Sequence, residues 1–264
     1  MSLRLPPGDL AIVSGSDLAL VPEGAEVTDQ IDYADLGWPA TSVAGHPNRL
    51  LLARWAPGGR RELRLLLACG RPHLYEGWSA AELARPVDDL AARGVRGLIL
   101  TNASGALDPT VAAGSAVVVT QVVDLQGEPA DEAPVLPVTG AAAARRLAAA
   151  LAPGLAARPG RYVAVPGPHY ETPAEAAWLR RYGDVVGMST AAEVRAAGRH
   201  GMPVRVLSLV TNVSGAALGH AEVLAAGALL AEGLGRGLGA LAAAFVAALE
   251  AAPAGPDGPR REGV

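Results

Sequence analysis

The segment Gly70–Gly77 reads Gly-Arg-Pro-His-Leu-Tyr-Glu-Gly and is dense in residues able to do chemistry. Arg71, His73 and Tyr75 alternate, so in an extended segment their side chains fall on one face. A guanidinium beside an imidazole can hold a phosphate, the arginine through paired hydrogen bonds. On these residues alone, a phosphate site and a polar rim after an edge strand stand equal. Three other polar sets fall where apolar runs stop: Tyr170-Glu171, Ser189, and Thr211-Asn212. In open α/β sheets ligands bind at strand ends. Ser189 also precedes a helix start, where free N–H groups and the helix dipole favour an anion. Weaker signals are Ser14-Gly15-Ser16-Asp17, better read by itself as an ordinary turn, and His46, a lone loop histidine.

The stretch Arg161–Asn212 must position most of these groups. Tyr162–Val165, Asp184–Met188 and Val204–Val210 are too short for helices and read as buried strands. Thr172-Pro173-Ala174-Glu175 and Thr190-Ala191-Ala192-Glu193 both read as capping boxes opening helices, with Gly183 and Gly201 as stops. Strand–helix–strand–helix–strand predicts parallel strands covered on both faces.

Upstream, Leu10–Val13 reads as a strand, and Arg49–Ala56 with Glu62–Cys69 as a hairpin. A capping box at Ser79 opens a helix to about Arg93, and Val95–Leu100 is a strand ending in the small polar run Thr101–Ala106. Ala116–Val123 is a strand, Gly127–Pro137 an aperiodic acidic loop, and Ala141–Leu151 a helix. A helix, or a pair, runs from His220 to about Ala251, before a disordered tail over 252–264. The alternation predicts one α/β domain over 1–251, with a mixed, mostly parallel sheet flanked by helices on both faces.

Composition closes off several classes. Half of the 264 residues are hydrophobic, enough for a sizeable core, and the net charge is −4 with no basic tract, which disfavours nucleic acid. All 22 basic residues are arginine, so a lysine Schiff base and a phosphate-loop lysine are excluded. The single cysteine, Cys69, suits a cytoplasmic protein. No signal peptide and no membrane-spanning run is expected, nor any metal-ligand cluster.

Taken together, GSDL, AGHPNRL, GRPHLYEG, TNASGAL, GPHYETPAE, VGMSTAAEV, TN and HAEVLAAG resemble, in order and spacing, the trimeric purine nucleoside phosphorylases. The resemblance covers most of Leu10–Leu249. It implies the nucleoside phosphorylase fold and attack of inorganic phosphate on C1′ of a purine (deoxy)ribonucleoside, giving free base and (deoxy)ribose 1-phosphate. Phosphate is a co-substrate, no cofactor is needed, and a homotrimer is expected. By matching motif, the phosphate site would be Ser16, His46, Arg71, His73, the N–H of Ala103, and Ser189. The ribose site would be Tyr75, Met188 and His220, and the base site Tyr170, Glu171, Val186 and Asn212. Glu171, Asn212 and His73 would carry the catalysis. A carboxylate at Glu171 only accepts, so it suits the N1–H of hypoxanthine or guanine. Asn212 can donate to N7 as that atom gains electron density.

The related methylthioadenosine phosphorylases usually carry Ser and Asp at these two places, so Glu171 with Asn212 points to 6-oxopurines. A 6-aminopurine or 5′-methylthioadenosine phosphorylase and a non-catalytic nucleoside-binding homologue remain the alternatives. Taken singly, Glu171 reads as a helix-start carboxylate, Asn212 as a turn residue and Met188 as core. The chain departs from the family in Asp17, where glycine is usual, and in His169, where Ser or Thr is common. Asp124–Arg161 also lacks the family's Asn-Pro-Leu and aromatic motifs. That shortening implies a more open base pocket and altered trimer contacts.

Overall fold

The alternation within β1 (Leu10–Ser14) sets the architecture. Leu10 and Ile12 are buried on one side of the sheet, Ala11 and Val13 on the other, as a strand covered on both faces requires. The pattern repeats in β4 (Leu63–Cys69), where Leu65 and Leu67 face one core and Leu66 and Ala68 the other. Two helices cover the first face: α2 (Ala80–Ala92) through Val87 and Leu90, and α5 (Ala191–Arg199) through Val194 and Ala197. On the second face lie α3 (Ala141–Leu151), through Leu147 and Leu151, and helical residues 237–250, through Leu241 and Phe245. The computed structural model describes residues 8–15, 21–43, 46–57, 61–127, 132–151, 154–216 and 237–250. Ser16, Asp17, His220, the head of the last helix and the 252–264 tail lie outside the described residues.

The sheet is mixed, as expected for this single α/β domain. From one edge, β2 (Glu26–Asp32), β3 (Arg49–Trp55), β4 and β1 lead to β5 (Leu98–Ala106). β3 and β4 form the expected antiparallel hairpin. Beyond β5, β10 (Val204–Val213) pairs with both β5 and β6 (Ala116–Asp124). β6 continues to β8 (Ala157–Ala164), β8 to β9 (Val185–Gly187), and β9 returns to β5. Those five strands therefore close into a ring. β5 is parallel to β1 over Leu98–Leu100 and antiparallel to β9 at Gly105–Ala106. Between these two neighbours no strand among the described residues pairs with Thr101–Ser104 on that edge, which leaves a gap in the ladder there.

Several expectations need correction. β10 runs against β9, so the last three strands are not all parallel; only β8 and β9 are. β5 extends through Thr101–Ala106 instead of ending at Leu100. The polar run stays in the ladder because Asn102 and Ser104 are paired inside, Ser208 Oγ lying 2.6 Å from Asn102 Oδ1 and 2.8 Å from Ser104 Oγ, while the buried Thr101 hydroxyl has no partner. Val135–Pro137, expected as loop, forms a short strand, β7, against β6. α4 (Pro173–Leu179) has its capping box at Thr172 and Glu175, but Gly183 does not stop it. Gly183 is instead a close approach, since a Cβ there would stand 2.9 Å from Arg161 O. No helix among the described residues is long and apolar enough to cross a membrane.

Two glycines make the packing testable. A Cβ on Gly187 would collide with the Tyr162 hydroxyl and stand 3.2 Å from Ala103 O, both on rigid strands. Gly198, inside α5, has open space around it. Gly187→Ala should destabilise the protein by about 1–3 kcal/mol, and Gly198→Ala should stabilise it by about 0.5–1 kcal/mol, both read by urea unfolding.

Candidate active site

Arg71 stands two residues past the end of β4 and is 3% exposed. Its Nε donates to Glu193 Oε1 at 2.7 Å, Nη1 to Thr101 O at 2.6 Å, and Nη2 to Val13 O at 3.4 Å. Nη1 also lies 3.4 Å from where a Cβ on Gly15 would stand. The positive charge is thus fixed at the C-terminal ends of β1 and β4, beside the gap in β5. Ala103, two residues past Thr101, turns its backbone to the same edge. The backbone N–H of Arg71 donates to His46 Nδ1 at 3.1 Å, which places the His46 ring proton on Nε2 in the neutral form.

His73 and Tyr75 stack, with ring centroids 4.8 Å apart and planes 13° apart, and His46 meets His73 edge-on at 6.3 Å. The extended reading of this segment fails at Leu74–Glu76, which is a 3-10 turn. The cause is Glu76, whose Oε1 accepts from the His73 backbone N–H at 2.8 Å and lies 3.1 Å from His73 Nδ1. Burial raises the Glu76 pKa, but hydrogen bonds from Ser42, Thr41 and His73 outweigh it and hold the carboxyl below its usual range. An ionised Glu76 only accepts, so His73 Nδ1 carries the proton and Nε2 keeps a lone pair. Burial lowers the His73 pKa, and Arg71 pushes the same way, against the pull of Glu76. His73 is therefore neutral at pH 7.

Ser189 joins this group through α5. It stands just before the helix that carries Glu193 one turn later, and Glu193 grips Arg71. Glu193 was expected to cap Thr190, but Thr190 makes no side-chain cap bond and takes φ +80°. A β-branched residue there is strained. Its Oγ1 instead accepts from Asn102 Nδ2 at 2.8 Å and lies 3.2 Å from Ser189 Oγ. The Ser189 N–H donates to Tyr162 Oη at 3.3 Å.

The residues expected at the base site meet at Gly105. Its register partners are Asn212 on β10 and Val186 on β9. A Cβ on Gly105 would stand 3.1 Å from Ser214 Cβ and 3.3 Å from Asn212 Nδ2. Thr211 Oγ1 lies 2.9 Å from Asn212 Oδ1 and 3.2 Å from Ser104 O, its one proton serving one or the other, and Nδ2 is the only donor the amide has. Ser214 Oγ donates to Glu171 Oε2 at 2.5 Å, so Glu171 and Asn212 are neighbours. Val186 is buried in the small core under α4 with Ala176 and Leu179. Tyr170 is 44% exposed, at the rim.

On the ribose side, Met188 and Tyr75 approach one another at Gly167, where a Cβ would meet Met188 Sδ at 2.5 Å and Tyr75 Cδ1 at 2.8 Å. The Tyr75 phenol is pushed up to about 12 by burial, then by Glu76 and Tyr170. Gln126 Nε2 lies 3.3 Å from Met188 O and 3.2 Å from Val165 O, so the shortened segment still braces this wall.

Arg71, His46, His73, Ala103 and Ser189 thus gather at the β5 gap, Tyr75 and Met188 beside it, and Tyr170, Glu171, Val186 and Asn212 around Gly105. Ser16 and His220 are outside the described residues. Four contributors escaped the sequence reading: Glu76, Glu193, Gln126 and Ser214. Glu76 sits within the GRPHLYEG run and was open to notice, whereas Glu193 was hidden by its resemblance to a cap and the other two by plain loop sequence. Among the described residues no three His, Cys, Asp or Glu side chains stand together as a metal site.

Residues 9–245 match the model of the phosphorylase superfamily. The chain is 38% identical over 247 residues to the purine nucleoside phosphorylase of Mycobacterium tuberculosis, and the match covers 90% of each protein. Among solved structures, the Schistosoma purine nucleoside phosphorylase in complex with hypoxanthine is similar with TM-score 0.70 at 32% identity, over 89% of this chain and 90% of that one. The Schistosoma mansoni enzyme in complex with inosine gives TM-score 0.70 at 31% identity, over 94% and 91%.

Removing one partner of a sealed ion pair strands the other charge. Glu193→Ala should cost about 3–5 kcal/mol in urea unfolding. Glu193→Gln, which can still accept from Arg71 Nε, should cost less.

Proposed function

The chain belongs to the phosphorylase superfamily and, within it, to the purine nucleoside phosphorylases; from that premise we propose that it converts 6-oxopurine nucleosides, inosine and guanosine with their 2′-deoxy forms, and phosphate to free base and (deoxy)ribose 1-phosphate. The observation that supports this reading best is the placement of Glu171 and Asn212 about Gly105. A carboxylate that only accepts and an amide whose Nδ2 is left to donate match N1–H and N7 of hypoxanthine or guanine.

In this reading phosphate lies at the β5 gap, held by the Ala103 N–H, Ser189, the remaining N–H groups of Arg71, and the two histidines. One phosphate oxygen forms a bond to C1′ while the C1′–N9 bond breaks and its electron pair passes to the purine. The sugar becomes cation-like between the two, as in glycoside cleavage. Asn212 stabilises the charge that grows at N7, an interaction stronger in the transition state than in the ground state. His73, neutral with a lone pair on Nε2, can take a proton from the phosphate and so sharpen the nucleophile. Tyr75 and Met188 form the apolar bed of the ribose. Ser16 and His220 belong to the phosphate and ribose sites by motif.

We also infer a cytoplasmic homotrimer. Tyr170, Trp178 and Val213 are exposed apolar side chains on the segments that carry the base site, and an assembly would cover them.

Purified protein should release hypoxanthine from inosine only when phosphate is present, and should cleave adenosine much more slowly; equal release without phosphate would mark a hydrolase. Asn212→Asp should lower inosine kcat/KM by about a hundredfold and shift preference towards adenosine, because the new carboxylate can accept from a 6-amino group. Molecular mass in solution, read by light scattering, should equal three chains.

A further inference from the structure

Between Glu171 and Asn212 stands Ser214, in the turn that follows β10. Three restraints fix it. Its N–H donates to Ala106 O at 2.9 Å. Its Cβ stands against the bare Cα of Gly105, 3.1 Å from where a side chain there would begin. The next residue, Gly215, has φ +81° and leaves room for Pro173 Cα only because it lacks a Cβ, which would come within 3.0 Å. The turn is thereby seated on the start of α4, the helix that Glu171 leads into. From this fixed position Ser214 Oγ donates to Glu171 Oε2 at 2.5 Å, within the range of charge-assisted O–H···O⁻ bonds.

We propose that Ser214 is a positioning residue that sets base specificity: its hydroxyl occupies Oε2 of Glu171 and so presents Oε1 to the base. This rests on the nucleoside phosphorylase reading. A carboxylate free to turn about its terminal torsion would pay to be ordered by each incoming base, whereas one held by Ser214 is ordered beforehand. A fixed acceptor favours a purine with hydrogen on N1 and opposes the bare N1 lone pair of adenine. The contacts of Ser214 are with Ala106, Gly105 and Glu171, all on the proposed base side, so its effect is expected on the base.

The test compares Ser214→Ala and Ser214→Thr with the unaltered protein, using inosine, adenosine and phosphate as varied substrates. Ser214→Ala should lower inosine kcat/KM by about tenfold, the weight of one hydrogen bond to a charged group. Adenosine kcat/KM should hold or rise, and the KM for phosphate should stay within about twofold, less than the energy of half such a bond. Ser214→Thr, which keeps the hydroxyl, should restore inosine turnover. An inosine-to-adenosine ratio unchanged in Ser214→Ala, or a phosphate KM that rises with the inosine KM, overturns the proposal. If Ser214→Ala does not fold, Ser214→Gly, which also lacks the donor, takes its place with the same expectations. Failure of the unaltered protein to release base would defeat the phosphorylase reading instead. Calorimetric binding of hypoxanthine then decides Ser214 alone: weaker in Ser214→Ala and restored in Ser214→Thr supports the role, and equal binding in all three overturns it.

Discussion

A guanidinium and a carboxylate sealed together inside the sheet govern the anion side of this molecule. Arg71 and Glu193 are almost without solvent, and neither charge could be buried unpaired. Satisfying them dictates how four elements are placed. β4 must deliver Arg71, β1 and β5 must offer the carbonyls of Val13 and Thr101, and α5 must start close enough for its first turn to reach across. Ser189 and the gap in β5 are placed by the same demand. The pair is a constraint more than a source of stability, since the desolvation of both ions offsets most of their attraction. Its use is a positive charge held at one point, with donors to spare.

The base side is governed by an absence of side chain. Gly105 lets Asn212 and Ser214 lie against the same strand, and Gly215 lets the turn after β10 press on the start of α4. The result joins a residue from a loop, Glu171, to one from a strand, Asn212, through a single hydroxyl. In the proposed reading, rigid strands carry the phosphate end and two clasped segments carry the base end. A nucleoside laid between them would have its scissile bond over the boundary.

Much of this was legible in the chain because it depends on local patterns. The strands of the β3–β4 hairpin, the caps at Ser79 and Thr172, and the apolar stripes of α2 and α3 follow from periodicity and capping chemistry. Thr190-Ala191-Ala192-Glu193 has the same local pattern as the box at Thr172 yet does not cap, because Arg71, 122 residues away, takes the carboxylate. The direction of β10 was equally out of reach, since ring closure is decided by which strand β5 accepts on its far edge. Thr101–Ala106 looked like a loop because small polar residues often end strands; here Ser208 on the neighbouring strand bonds Asn102 and Ser104. The candidate site was legible as a set of motifs. Its braces, Glu193, Gln126 and Ser214, were not, because each acts on a partner distant in sequence.

The central claim is that one pocket holds an oxyanion at the β5 gap and a 6-oxopurine at Gly105. A crystal structure of the protein with guanine and phosphate tests it directly. The account predicts guanine N1–H on Glu171, N7 facing Asn212 Nδ2, and phosphate bonded to the Ala103 N–H and Ser189 within reach of His73. Guanine seated away from Glu171, or phosphate bound on the far side of Arg71 from the β5 gap, would contradict it.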